Sequence, residues 1–129
     1  MKSVANVVFV AAAMAVAALT IQPALAQHSG AGFGKDTKEI SGTVKEFQFT
    51  NPHSWIQVNV VDESGKTVEW SVEWGSPNQL GRDGYRPSTF APGTKVRIRL
   101  HPMANGALVG GYIAAKMADG TTNGKWDGE

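Results

Sequence analysis

Three histidines and one methionine are the side chains of this 129-residue chain best suited to binding a metal. They are His28, His53, His101 and Met103. Imidazole nitrogen and thioether sulfur are ligands that copper ions accept, so these residues predict a copper-type site if the fold brings them together. A single imidazole also serves as a general base or completes a turn, and these alternatives stay open for His53 in "TNPHSWIQV", residues 50–58.

The chain gives little support for an enzyme. Glu69 and Glu73 lie four residues apart on a predicted strand, which separates them by about 13 Å. The paired carboxylates of glycosidases stand roughly 5–9.5 Å apart, so we interpret these two as part of a solvated face. Ser76 lies outside a G-x-S-x-G pattern, and the absence of cysteine excludes thiolate metal sites and a cysteine nucleophile. We therefore predict a non-enzymatic protein without a cofactor.

The first 26 residues are typical of a bacterial signal peptide. Lys2 precedes the apolar stretch "VVFVAAAMAVAALTI", and the small residues Ala24 and Ala26 form the pattern that signal peptidase requires. The apolar stretch is short for a membrane span, and a retained N-terminal anchor is the alternative. These features predict cleavage after Ala26, a mature chain that begins at Gln27 and has no membrane span, and a periplasmic or secreted location.

The charge balance argues against a nucleic-acid partner. The whole chain carries 12 basic and 11 acidic residues, and Lys2 is the only charged residue before Gln27. The predicted mature chain is therefore neutral, without the excess of Lys and Arg that attracts phosphate backbones. We expect no nucleic acid among its partners.

Hydrophobic periodicity predicts one small all-β domain. Residues 27–37 are Gly-rich and indicate a flexible arm, and residues 119–129 form a polar tail. Between them, residues 38–118 place apolar side chains at alternate positions in five segments, with Ser76-Pro77 starting a short helix between the third and fourth. This order is that of an OB-fold-like antiparallel barrel. A sixth strand in the tail, and a generic six-stranded barrel or sandwich, stay open.

The alternation also predicts a strand register. The inward parity changes between Val44 and Phe47, which indicates a bulge near Lys45-Glu46. If "ESG" forms the tip of the second hairpin, Trp55 faces Glu73 on the outside, whereas Trp70 points into the core. A slip by one residue would place the apolar set opposite the polar set, so this register is well specified.

The same register brings "NPHSW" and "WGSPN" to one end of the barrel. We expect His53 to close its turn by hydrogen bonding to Gly75-Ser76, and we expect the end of the fourth strand, with His101, to lie away from that turn. The predicted contact region consists of Asn51, His53, Trp55, Glu73, Ser76 and Asn78.

The predicted outer face of the second and third strands suits a neutral or cationic polar partner. It carries Trp55, Gln57, Asn59, Glu69, Ser71 and Glu73, and no Lys or Arg. The predicted function is therefore an exported binding or accessory module for a small polar ligand, a glycan, a peptide or another exported protein. The alternatives are a solvated face without a partner and a periplasmic copper-type metal-binding protein.

Three segments resemble a known bacterial family. "GTVKEFQFTNPHSWIQVNV", "VEWSVEWGSPNQL" and "APGTKVRIRLHP" are similar to domain of unknown function family 6152, over roughly residues 38–118. The resemblance implies export and a small β-rich fold, and it carries no activity. Family members often begin the mature chain with His-His-Ser, where this chain has Gln27, His28 and Ser29.

Overall fold

The computed structural model of the chain describes residues 32–126, which form six strands and one short helix. The predicted signal peptide, residues 27–31 of the predicted arm and residues 127–129 lie outside the described part. In chain order the elements are β1 (Lys38–Gln48), β2 (Trp55–Val61), β3 (Thr67–Glu73), α1 (Pro77–Arg82), β4 (Lys95–Pro102), β5 (Val109–Met117) and β6 (Thr122–Gly124).

The strands form a closed barrel with one additional strand. Their order is β3-β2-β1-β4-β5-β6, and a parallel pairing of β3 with β5 closes the first five into a barrel. The helix α1 lies between β3 and β4 in the chain. The predicted OB-fold-like, all-β class is therefore confirmed, and the C-terminal tail adds β6 as the sixth strand.

The strand register agrees with the sequence pattern. In the β2–β3 hairpin Trp55 pairs with Glu73 and Val58 pairs with Trp70, as predicted. The register of β1 against β2 shifts between Val44 and Glu46, where the bulge was predicted. The alternation of apolar residues thus predicts both the hairpin and the bend of β1, because a slip by one residue would turn the apolar set outward.

A glycine permits β1 to cross β2 closely at the start of its bend. A Cβ on Gly42 would lie 2.1 Å from the carbonyl oxygen of Asn59 and 3.0 Å from the side chain of Val58. No side chain fits in that space, so glycine is required for the two strands to approach this closely.

The core fills the barrel interior with side chains from all five barrel strands and from the segment after α1. Its members are Ile40, Val44, Ile56, Val58, Trp70, Val72, Phe90, Val96, Ile98, Leu100 and Ala115. Trp70 is 6% exposed, as its inward parity predicts. Leu80 is the buried residue of α1, whose N-terminus is capped by the Ser76 hydroxyl accepting from the Gln79 N–H at 3.3 Å.

An aromatic cluster packs beside this core, around Trp74. The Trp74 ring is stacked on Tyr112 at 4.1 Å between centroids and contacts Tyr85 at 4.6 Å. Phe47 and Phe90 complete the contacts of the indole. Burial, together with the nearby Tyr85, raises the pKa of the Tyr112 phenol far above its ordinary value. The phenol hydroxyl donates to the carbonyl of Asn123 in β6 at 2.7 Å, which ties the added strand to the cluster.

Candidate functional site

The segments "NPHSW" and "WGSPN" meet at one end of the barrel, as the predicted register requires. The Ser54 N–H donates to the Gly75 carbonyl, and the Trp74 N–H donates to the Ser54 carbonyl, both at 2.9 Å. His53 was predicted to bind the Gly75-Ser76 end, and that prediction is wrong because the Ser54 main chain already occupies Gly75. The imidazole instead contacts Glu73, with 2.8 Å between Nδ1 and Oε1.

Glu73 is buried, although the sequence predicted a solvated residue. Its side chain is 10% exposed, whereas Glu69 on the same face is 41% exposed and pairs with Lys45 at 2.7 Å. Trp55 flanks Glu73 on β2, and Gly111 is its neighbour on β5. A Cβ on Gly111 would lie 2.8 Å from the ring of Phe33, so that ring packs directly onto the glycine.

Three segments that are distant in the chain therefore meet beside Glu73. Phe33 belongs to the segment predicted as a flexible arm, and residues 32–34 of that segment are attached to the end of β4. Phe33 forms a bridge with Met103, and the Gly34 N–H donates to the Pro102 carbonyl at 3.0 Å. Trp55 and Gly111 are thus the cross-strand neighbours of this outward-facing carboxylate, and the Phe33 ring packs on Gly111.

The contact with Glu73 orients the imidazole of His53. A carboxylate accepts only, so Nδ1 is the nitrogen that carries the proton in this contact. The side chain of His53 is 33% exposed, and Nε2 has no hydrogen-bond partner among residues 32–126. When the ring is neutral, Nε2 therefore holds its lone pair towards solvent, as an acceptor or a ligand.

A shallow groove of about 260 Å³ lies beside this pair on the outer face. It is lined by Gln48, Trp55, Gln57, Ser71 and Val109. The Ser71 hydroxyl donates to the Gln57 amide oxygen at 2.6 Å, and the Gln57 amide nitrogen donates to Gln48 at 3.3 Å. The groove thus offers an indole, two amides and a hydroxyl in an ordered row, without a charged side chain.

The other predicted contact residues lie near this site without joining it. Asn51 is exposed in the turn before His53, and Asn78 is exposed in the first turn of α1. Ser76 is committed to capping the helix. Of the six predicted residues, the structure therefore brings His53, Trp55 and Glu73 together.

Three residues at or beside this site were missed by the sequence interpretation. Gln48 is signalled by the parity change at the bulge, since it follows the inward Phe47 and pairs with Trp55. Val109 reaches the groove because β5 pairs with β3 in parallel. Phe33 has only a weak signal, an aromatic residue between two glycines in "GFG".

The predicted copper-type residues are not assembled into a metal site. Among residues 32–126 no group of three or more His, Asp or Glu side chains is positioned to hold a metal ion. His101 donates through Nδ1 to the Asp36 carbonyl at 3.0 Å, and Met103 pairs with Phe33. His28 lies outside the described residues.

The position of His101 differs from the prediction for a separate reason. Gly111 pairs with both Glu73 and His101, so these two residues occupy one row across the sheet. Two strand spacings separate them, about 10 Å. The end of β4 therefore lies close to the His53 turn, because the β3–β5 closure brings it there, and the prediction that it lies away is wrong.

Comparisons with known proteins give a family and no closer relative. No helix within residues 32–126 has the length and apolarity needed to cross a membrane. Neither the search of curated proteins nor the search of solved structures finds a match. The model of a family of unknown function, DUF6152, matches residues 13–112, which is most of the sequence and includes both segments that meet at His53. The chain therefore belongs to the DUF6152 family.

Proposed function

We propose that this protein is an exported, non-enzymatic binding module that holds a neutral or cationic polar ligand against His53, Trp55 and the adjoining groove. The observation that carries this proposal is the buried Glu73 carboxylate, 2.8 Å from the His53 Nδ1, on the outer surface of the barrel. Burying a charge costs stability unless the charge is paired, and a buried ion pair is itself weak evidence for a role in stability. The pair therefore serves to fix the imidazole.

The chemistry of the neighbouring groups defines the ligand class. The indole of Trp55 offers a face for apolar patches or cations of a ligand. The amides of Gln48 and Gln57 offer both donors and acceptors, which match hydroxyl and amide groups. Within residues 32–126, the outer side of β2 and β3 carries no Lys or Arg, and the nearby Lys45 ammonium of β1 is paired with Glu69, so anionic ligands are disfavoured.

Catalysis is not part of the proposal. Near His53, Ser71 donates to Gln57 and Ser76 accepts from Gln79. The hydroxyl of Ser54 has no hydrogen-bond partner within residues 32–126, but it is fully buried and therefore out of reach of a ligand on the surface. A base without an aligned nucleophile or substrate-activating group binds rather than reacts. Export rests on the sequence of residues 1–26 alone.

One substitution separates binding from folding at this site. His53→Asn places an amide nitrogen close to the position of Nδ1, so the contact with Glu73 is retained, whereas nothing replaces Nε2. Two probes cover the ligand class, the neutral disaccharide N,N′-diacetylchitobiose and a tetralysine peptide, each followed by amide chemical shifts. We expect shifts at residues 53–57 and 71–73 in the wild type and their loss in His53→Asn and Trp55→Ala.

His101→Asn is the matched control. His101 is also a half-buried histidine on the outer face with one Nδ1 contact, to the Asp36 carbonyl. Its substitution should leave the titration unchanged. If neither probe shifts these residues, or if His53→Asn binds as well as the wild type, the proposed site is wrong.

A further inference from the structure

Although the chain is nearly neutral, the structure separates its charges onto two faces. The outer side of β2 and β3 carries Glu69 and Glu73, with Trp55, Gln57, Asn59 and Ser71. The outer side of β4 and β5 carries Lys95, Arg97, Arg99 and Lys116, where Arg97 and Lys116 are directly paired across the strands. The net charge of the chain does not reveal this asymmetry. The clustered cations give the β4–β5 side a positive electrostatic potential.

A groove of about 850 Å³ lies on the positive side. Three cations line it, Lys95, Arg97 and Lys116. Hydroxyl groups line it as well, from Ser41 and Thr43 on β1 and from Thr122 on β6. Cationic and hydroxyl donors around one depression are the groups that bind the oxygens of phosphate.

Two of the cations are held in place by the C-terminal tryptophan. The Trp126 ring lies 4.6 Å from the Lys116 ammonium and 5.2 Å from the Arg97 guanidinium. Trp126 is only 8% exposed, and its carbonyl accepts from Arg99. Contacts with the ring restrict both side chains before a ligand arrives, which lowers the entropic cost of binding.

Among residues 32–126, one carboxylate competes for this groove. Glu39 on β1 accepts from Arg97 at 2.8 Å, with both side chains about half exposed. Arg97 first, and then Arg99 and Lys116, hold the pKa of Glu39 below its ordinary value, as expected beside several cations. The other nearby carboxylate, Asp119, accepts from the Thr121 N–H of its own turn at 2.8 Å. Lys95 and Lys116 have no carboxylate partner within residues 32–126.

We infer that the β4–β5 groove binds an oxyanion ligand with two or more phosphate groups. The charges are spaced for a multivalent ligand rather than a single carboxylate. Lys95 and Arg97 are two residues apart on one strand, about 7 Å, and Arg97 faces Lys116 about 5 Å across the sheet. This anionic ligand differs in charge from the neutral or cationic ligand proposed for the His53 site, so the two faces act on different partners.

The experiment uses two ion pairs of nearly equal geometry. Glu39–Arg97 spans 2.8 Å with exposures of 42% and 52%, and Glu69–Lys45 spans 2.7 Å with exposures of 41% and 54%. Glu39→Gln releases a cation inside the groove, whereas Glu69→Gln releases one on the opposite face. Binding of inorganic tripolyphosphate is measured by calorimetry at constant ionic strength. We expect about threefold tighter binding for Glu39→Gln, the effect of one charge roughly 6 Å away in water.

The same titration gives three further expectations. Glu69→Gln should leave the affinity unchanged, Lys95→Gln should weaken it about threefold, and added salt should weaken it throughout. Vesicles of phosphatidylcholine with and without phosphatidylglycerol distinguish the source of the phosphate. Groove-dependent binding to the anionic vesicles alone assigns the groove to lipid headgroups, and binding to tripolyphosphate alone assigns it to a soluble ligand. No binding to either, or equal effects of Glu39→Gln and Glu69→Gln, overturns the inference.

Discussion

The contact between His53 and Glu73 should contribute measurably to stability, and a double-mutant cycle isolates that contribution. His53→Ala leaves a 10% exposed carboxylate without its partner. A hydrogen bond to a charged group contributes roughly 1.5–3 kcal/mol, and water entering where the one-third exposed imidazole stood recovers part of it. We therefore expect His53→Ala to lower the free energy of unfolding by about 1–3 kcal/mol.

The cycle compares His53→Ala, Glu73→Ala and the double variant. Urea unfolding followed by tryptophan fluorescence gives the free energy of each protein, since the chain has four tryptophans. The coupling energy should be about 1–2 kcal/mol, because the Glu73→Ala background no longer contains the carboxylate that His53 satisfies. His53→Asn should recover part of the loss. A coupling below about 0.3 kcal/mol would mean that the two residues act independently and that Glu73 does not fix the imidazole.

Four other expectations concern the core, the arm, a phenol and processing. Trp70→Ala should lower the free energy of unfolding by about 3–5 kcal/mol in urea titrations, and a loss under about 1 kcal/mol would contradict its place in the core. Gly111→Ala should displace Phe33, which increases the exposure of Glu73 and is detected as faster exchange of the Gly34 amide; unchanged exchange would contradict the contact. In Tyr85→Phe, Tyr112 is the only tyrosine, and its phenolate absorbance should stay absent up to about pH 11 while the protein is folded. The stability that the neutral phenol contributes should fall as pH rises above about 10, the pKa of an unfolded tyrosine. Ionisation of the native protein near pH 10 would refute this. Intact-mass analysis of exported protein should give a chain beginning at Gln27, and a mass that retains residues 1–26 would refute export.

The strands and the register of the β2–β3 hairpin were predictable because their signals are local. Alternation of Ile56, Val58 and Val60 against Val68, Trp70 and Val72 specifies the hairpin register, since a slip by one residue would place apolar side chains opposite polar ones. The bulge after Val44 and the helix cap at Ser76 are likewise predicted by a few neighbouring residues. Register then placed Trp55 beside Glu73 without any knowledge of the rest of the chain.

The burial of Glu73 was not predictable for the opposite reason. Glu73 pairs with Gly111 through the parallel β3–β5 closure, and the ring that packs on Gly111 is that of Phe33, which lies in a Gly-rich segment. No periodic pattern encodes such contacts between segments far apart in the chain. The same closure places His101 two strand spacings from Glu73, about 10 Å. The pairing of Arg97 with Lys116 forms a positive face that the net charge of the chain does not reveal.

Long-range ¹H–¹⁵N NMR of histidine-labelled protein shows which ring nitrogen of His53 carries the proton, and this measurement tests the orientation of the imidazole most directly. We expect a proton on Nδ1 whose resonance disappears or shifts in Glu73→Ala. We also expect an Nε2 resonance that moves when diacetylchitobiose or tetralysine is added, while the Nδ1 resonance stays in place. The spectrum of His101 provides the internal reference, since its Nδ1 contacts the Asp36 carbonyl instead. A His53 ring unaffected by Glu73→Ala, or an Nε2 resonance that neither probe moves, would contradict the claim that Glu73 orients this imidazole towards a ligand.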